Sequence, residues 1–195
     1  MLPEHFHVRQ DAGVRILRLV SSDGTNRLTL ACVLALTAAI RELGLQPQPL
    51  VITGNRKFFS AGADLSEIAA LTGPAAYEFS RMGQELMNEI ERFPAPVYAA
   101  IEGYCMGGGL DLALACHRRI ASAHAIFGHR GSALGLVTGW GGTQRLPRLI
   151  GRAKSLELFT TAEKVHAQEA RRIGLVDAIA DDPVQYSSKQ ALSST

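Results

Sequence analysis

The sequence predicts an α/β fold built on a largely parallel sheet. Short runs rich in β-branched and aliphatic residues recur at 14–20, 50–53 and 97–101. Between them lie segments with the 3.6-residue apolar period of helices. Glycine and proline stand at most of the boundaries. Strands that alternate with helices have crossover connections and pair in parallel.

Residues 14–20 mix Val, Ile and Leu and read as a strand, followed by the turn signal Asp23-Gly24. Leu30, Val33, Leu34, Leu36, Ile40 and Leu43 recur at helical spacing, and Gly44 fits the stop. Residues 50–53 form a short buried strand, and 58–64 a loop of small residues. Pro74 suits the first turn of a helix running to about Phe93, which Pro94 and Pro96 close. The strand at 97–101 leads straight into Gly107-Gly108-Gly109 and an apolar helix. Residues 119–121 and 125–127 read as two more short strands. Gly139, Gly141 and Gly142 punctuate a loop ahead of Thr143-Gln144-Arg145-Leu146. Helices follow from about 152 to 161 and from about 167 to 172, the second ending at Gly174. Residues 175–179 are the last strand. The stretch from Tyr186 onward is polar, without periodicity, and reads as a frayed tail. With no linker or repeat, residues 1–180 form one core and 181–195 a polar C-terminal tail.

Composition narrows the function. The 195 residues are 47% hydrophobic, enough for one domain with a sizeable core. The formal net charge is +2, with Lys and Arg spread along the chain, so no nucleic-acid footprint is present. No apolar run reaches the length of a membrane span, and residues 1–5 lack a signal-peptide pattern. Cys32, Cys105 and Cys116 are odd in number and lack a Cys-x-x-Cys pair. They fit a reducing, cytoplasmic setting and argue against disulfides and a zinc site.

The triple glycine carries the chemistry. A glycine run that opens a helix leaves backbone N–H groups unpaired and aimed together, which attracts negative charge. A second small-residue loop, Ser60-Ala61-Gly62-Ala63-Asp64, likewise follows a strand. Ligands of open α/β sheets bind at the carboxyl ends of strands. If both loops lie at one edge, their N–H groups converge as an oxyanion hole; alone, each is equally a tight packing turn. The dinucleotide and P-loop glycine spacings are absent. The hydrolase elbow is half matched at Ser60, because Phe58 stands where its first glycine belongs. The six histidines show no metal-ligand spacing.

Three motifs in order resemble the enoyl-CoA hydratase/isomerase (crotonase) family: Phe59-Ser60-Ala61-Gly62-Ala63-Asp64-Leu65, Glu102-Gly103-Tyr104-Cys105-Met106-Gly107-Gly108-Gly109 and Gly139-Trp140-Gly141-Gly142-Thr143-Gln144-Arg145-Leu146. Glu169-Ala170 with Ile173-Gly174-Leu175-Val176-Asp177 is similar to a later signature. The likeness runs from about Val14 to Ile179. It implies a spiral of ββα units and a coenzyme A thioester as substrate, with no permanently bound cofactor. The thioester oxygen is expected between the N–H groups of Ala63 and Gly108. Ala61, Asp64 and Leu65 are expected against CoA, with Gly107 and Gly109 in the binding loop.

The departures concern proton transfer. The family's two glutamates fall at Asp111 and Gly131. Water addition is easiest with one group holding water and another protonating carbon. Gly131 does neither; its missing side chain leaves room for a bulkier substrate or a relaying water. Asp111 then acts alone as acid and base, or simply favours its helix start. His129 is a candidate replacement, otherwise a strand-end residue. Arg130 is a candidate partner for a substrate carboxylate or CoA phosphate, otherwise solvated. Trp140 belongs either to the acyl pocket or to packed core. The resemblance also implies a further C-terminal helical region that supports homotrimers or hexamers, here cut short. The leading expectation is hydration of a 2-enoyl-CoA in fatty-acid or related catabolism. Isomerisation, decarboxylation or thioester hydrolysis on the same site is the alternative. A catalytically silent acyl-CoA-binding partner subunit is the other.

Overall fold

The computed structural model describes residues 5–193. Residues 1–4 of the 1–5 stretch read as lacking a signal-peptide pattern, and residues 194 and 195 of the tail, lie outside them. A hairpin opens the chain. β1 (Phe6–Asp11) pairs antiparallel with β2 (Val14–Leu19) across Ala12 and Gly13, both at positive φ.

From β2 the chain winds in repeated turns. β2 is followed by β3 (Arg27–Leu28) and α1 (Leu30–Gly44), whose Thr29 hydroxyl accepts from Cys32 N–H at 3.2 Å. Next come β4 (Leu50–Thr53), β5 (Phe58–Ser60), β6 (Gly62–Ala63), α2 (Leu65–Ala69) and α3 (Gly73–Glu91). The third turn is β7 (Val97–Ile101), β8 (Tyr104–Met106) and α4 (Gly108–Ala115). The fourth is β9 (Arg118–Ala121), β10 (Ile126–Gly128), a 3₁₀ turn at Gly131–Leu134, α5 (Gly142–Ile150) and α6 (Arg152–Thr161). β11 (Val165–His166), α7 (Ala167–Arg172), β12 (Ala178–Ile179) and α8 (Pro183–Ser193) complete it.

In each turn the first strand joins a six-stranded sheet, β1-β2-β4-β7-β9-β12, parallel except at the hairpin. The second strands β5, β8 and β10 cross into a separate sheet, β11-β10-β8-β5, and a helix brings the chain back. That is the expected ββα spiral. β3 and β6 pair in parallel on their own.

The strands at 50–53 and 97–101 are buried on both faces, as parallel strands under double cover are. Leu17, Leu19, Leu50, Ile52, Val97, Ala99 and Ile101 pack into the main core beneath the helices. The alternate residues Val14, Ile16, Val51, Tyr98, Ala100 and Ile120 form a second cluster with Ala191. This corrects the frayed tail. Pro183, Ser187 and Ala191 are buried at helical spacing, and their small size lets α8 lie close on the sheet. The signal was missed because a stripe of Pro, Ser and Ala carries no apolar contrast.

Two further expectations change. The glycine loop holds through Gly141, but Gly142 and the Thr143–Leu146 segment after it, given no element in the sequence, belong to α5, which keeps Pro147 in its interior. The strand read at 175–179 is ordered as β only at 178–179. Among the described residues no helix is long and apolar enough to cross a membrane.

Candidate active site

The two glycine loops meet at the N-terminus of α4. Gly107 holds φ +50, and its N–H donates to Gly128 O at 2.9 Å. A Cβ on Gly62 would fall 2.6 Å from Met106 O and 3.1 Å from Gly108 N. One on Gly108 would fall 3.3 Å from Ala63 N and 2.5 Å from the Trp140 ring. Only residues without side chains allow that approach, and it sets the Gly108 backbone beside the Ala63 amide nitrogen. Ser60 clamps the first loop: its hydroxyl donates to Asn26 O at 2.7 Å and accepts from Gly62 N–H at 3.1 Å.

Both loops line a cavity of about 610 Å³. Ala61, Leu65 and Gly107 line it with Ala63 and Gly108, and so do Asp111, His129, Gly131 and Trp140 from other elements. Ile68, Leu71, Phe79 and Phe159 make much of the remaining wall apolar. Two expected binding residues stand apart. Gly109 packs on Ser60, where a Cβ would fall 2.7 Å from the serine Cβ. Asp64 caps α2, accepting from Ser66 N–H at 2.9 Å and Glu67 N–H at 3.2 Å, with Arg27 3.5 Å away. The Ser66 hydroxyl and the Glu67 N–H hold its carboxyl below the usual range.

Asp111 sits in the first turn of α4 and is 1% exposed. One carboxyl oxygen, Oδ2, accepts from the Thr138 hydroxyl. The other, Oδ1, lies 3.4 Å from His129 Nε2. Burial raises the Asp111 carboxyl to about 7, against the lowering pull of Thr138 and of the Arg145 charge. Burial pushes His129 down to about 4, so its ring is neutral. The ring of Phe159 lies 5.1 Å from that of His129, tilted by 41°. Thr138 went unread in the sequence; it lies 27 residues from Asp111, and no periodicity links them.

Trp140 packs in the core and also faces the cavity. Its side chain is buried among core residues, Nε1–H donates to Phe79 O at 3.1 Å, and the ring also lines the cavity. Gly131 corrects an expectation. A Cβ there would fall 2.9 Å from Leu136 O, whose own N–H donates back to Gly131 O at 2.8 Å. The Leu136 backbone crowds the place of the missing Cβ, while Gly131 itself lines the cavity. Arg130 is exposed on the cavity's edge.

A family model described as enoyl-CoA hydratase/isomerase matches residues 9–193. The chain belongs to the enoyl-CoA hydratase/isomerase family. It is 45% identical over 141 residues to a probable enoyl-CoA hydratase of Bacillus subtilis, covering 72% of this chain and 55% of that protein. It is 37% identical over 182 residues to a crotonyl-CoA hydratase of Syntrophomonas wolfei, covering 92% of this chain and 70% of that one. A crystal structure of an enoyl-CoA hydratase from Bacillus anthracis superposes with a TM-score of 0.88 at 34% identity, over 97% of this chain and 74% of that one. The chain thus spans little more than half the length of its Bacillus subtilis relative.

Proposed function

We propose that this chain carries the active site of an enzyme that adds water to 2-enoyl-CoA thioesters. The observation that supports this most is the pairing of the Ala63 and Gly108 amides beside a buried carboxyl. Two N–H groups converging on a thioester oxygen stabilise the enolate that forms as water attacks. Loss of one such donor typically costs about 10²–10³ in rate. Asp111 stands next to that spot and exchanges protons with the reacting carbons. A carboxyl that titrates about 7 holds or yields its proton near neutral pH. The apolar wall of Ile68, Leu71, Phe79 and Phe159 suits an acyl chain. The names of the curated relatives agree with hydration.

Crotonyl-CoA hydration, followed as loss of enoyl absorbance in wild type and Asp111→Ala, tests this. Turnover in wild type that falls at least ~100-fold in the variant is expected. Unchanged turnover in the variant would sink Asp111 as catalyst. Binding without turnover in wild type would point to a silent acyl-CoA binder. Failure to bind any acyl-CoA would remove the reading altogether.

A further inference from the structure

Hydration moves two protons, one off the water and one onto carbon. Where a second carboxyl is expected the chain has Gly131, with neither a side chain nor space for one. The fold supplies another titratable group from the end of β10. His129 Nε2 stands 3.4 Å from Asp111 Oδ1, and both residues line the cavity. They are 5% and 1% exposed. His129 Nε2 has no hydrogen-bond partner, and Asp111 Oδ1 forms no full hydrogen bond, the Gly142 backbone N–H on α5 only lowering the carboxyl from nearby; the 3.4 Å between them exceeds the length of a formed N–H···O bond. A buried polar atom left unpaired costs about 1–3 kcal/mol. A bare imidazole nitrogen beside an under-satisfied carboxyl oxygen on one cavity wall offers a polar guest two partners. Both side chains are held: Asp111 by the Thr138 hydroxyl on Oδ2, His129 by the Phe159 ring.

We infer that His129 and Asp111 are the acid–base couple of the hydration, His129 Nε2 accepting a proton from water and Asp111 giving its own to C2. This rests on the hydratase reading above. The water oxygen bonds to C3 as one of its O–H bonds breaks toward Nε2. The C2=C3 electron pair moves onto the thioester as an enolate, then takes the Asp111 proton at C2. An imidazolium and a carboxylate remain 3.4 Å apart. Return of the proton from Nε2 to Oδ1 restores the couple with no other reactant.

The protonation states agree, with Asp111 near 7 and His129 near 4, both through burial. The pair therefore carries one proton just below neutrality, on the carboxyl. Other groups act on it from neighbouring elements. Arg145 on α5 pulls Asp111 down, and the Cys105 thiol on β8 is pushed up by its own burial and held neutral. Arg130, next in sequence to His129, is exposed.

The test compares His129→Gln with wild type, measuring crotonyl-CoA hydration across pH and butyryl-CoA binding by calorimetry. In His129→Gln, kcat is expected to drop at least ~100-fold while butyryl-CoA binding stays within about threefold. The acidic limb of the pH profile, set by protonation of His129, disappears, and the basic limb, set by ionisation of Asp111, remains. His129→Ala, partly rescued by added imidazole, gives the same answer should the glutamine variant fold poorly. Hydration within about threefold of wild type with an unchanged acidic limb, or an alanine variant that imidazole leaves inert, would overturn the assignment while the hydratase reading stands. A wild type that binds butyryl-CoA yet hydrates nothing would overturn both.

Discussion

Gly142 faces Asp111 so closely that a Cβ on it would stand 2.1 Å from Oδ1 and 3.0 Å from His129 Nε2. The carboxyl and the imidazole meet because a third residue has no side chain. Gly142→Ala is therefore expected to push the Asp111 carboxyl off its position. A displacement near 1 Å costs on the order of 100-fold in rate. The overpacking itself costs about 1–3 kcal/mol. Crotonyl-CoA kinetics and urea melts on one preparation separate the two effects. Wild-type kcat in this variant would mean that the carboxyl position is immaterial.

Stability should respond to pH through two opposed groups. Asp111 is raised by burial, so between its ordinary 3.8 and about 7 the unfolded chain has released a proton that the folded chain keeps. Its contribution is present below 3.8 and lost as pH rises through 7, by about 4 kcal/mol at ~1.4 kcal/mol per pH unit. His129 is lowered from 6.5 to about 4, so its contribution is present above 6.5 and lost as pH falls through 4, by about 3 kcal/mol. In wild type the two slopes nearly cancel across pH 4–6.5. Asp111→Asn, which still accepts from Thr138, should be more stable than wild type at pH 8 and should gain stability from pH 4 to 6.5. His129→Gln should lose stability from pH 4 to 7. Urea melts at those pH values check it; an Asp111→Asn variant less stable than wild type at pH 8 would contradict the burial argument.

The face of α8 offers a separate check. Ser187 Oγ is buried without a partner, so Ser187→Ala should raise stability by about 1 kcal/mol, or 2–4 °C in Tm. Ala191 is wholly buried against the sheet. Ala191→Asp there buries an unpaired charge and should cost about 3 kcal/mol or more. Thermal melts that rank the two variants the other way would mean that α8 does not cover the sheet in solution.

The strands at 50–53 and 97–101 and the helix from Leu30 were legible because apolar content and period 3.6 are local signals. The convergence of the Ala63 and Gly108 loops was legible as a possibility, since glycine marks close approach. Its partners were not. Thr138 and Gly142 act on Asp111 from another turn of the spiral, and Gly142 acts by lacking atoms. The short helix at Leu65–Ala69 and the strand at Tyr104–Met106 were hidden by brevity. α5 was hidden by its glycines and by Pro147. The filling of Gly131's side-chain place by Leu136 is a backbone event with no signature in residue type.

The contact of Ala191 with Val14 and Ile16 joins nearly the first described strand to the last helix. Contacts between segments so far apart in sequence form late and slowly. During synthesis the outer face of β2 leaves the ribosome early and has no cover until α8 follows. The strands made first are thus the last to be sheltered. Any pause before Pro183 leaves Val14, Ile16, Val51 and Ile120 exposed to a neighbouring nascent chain.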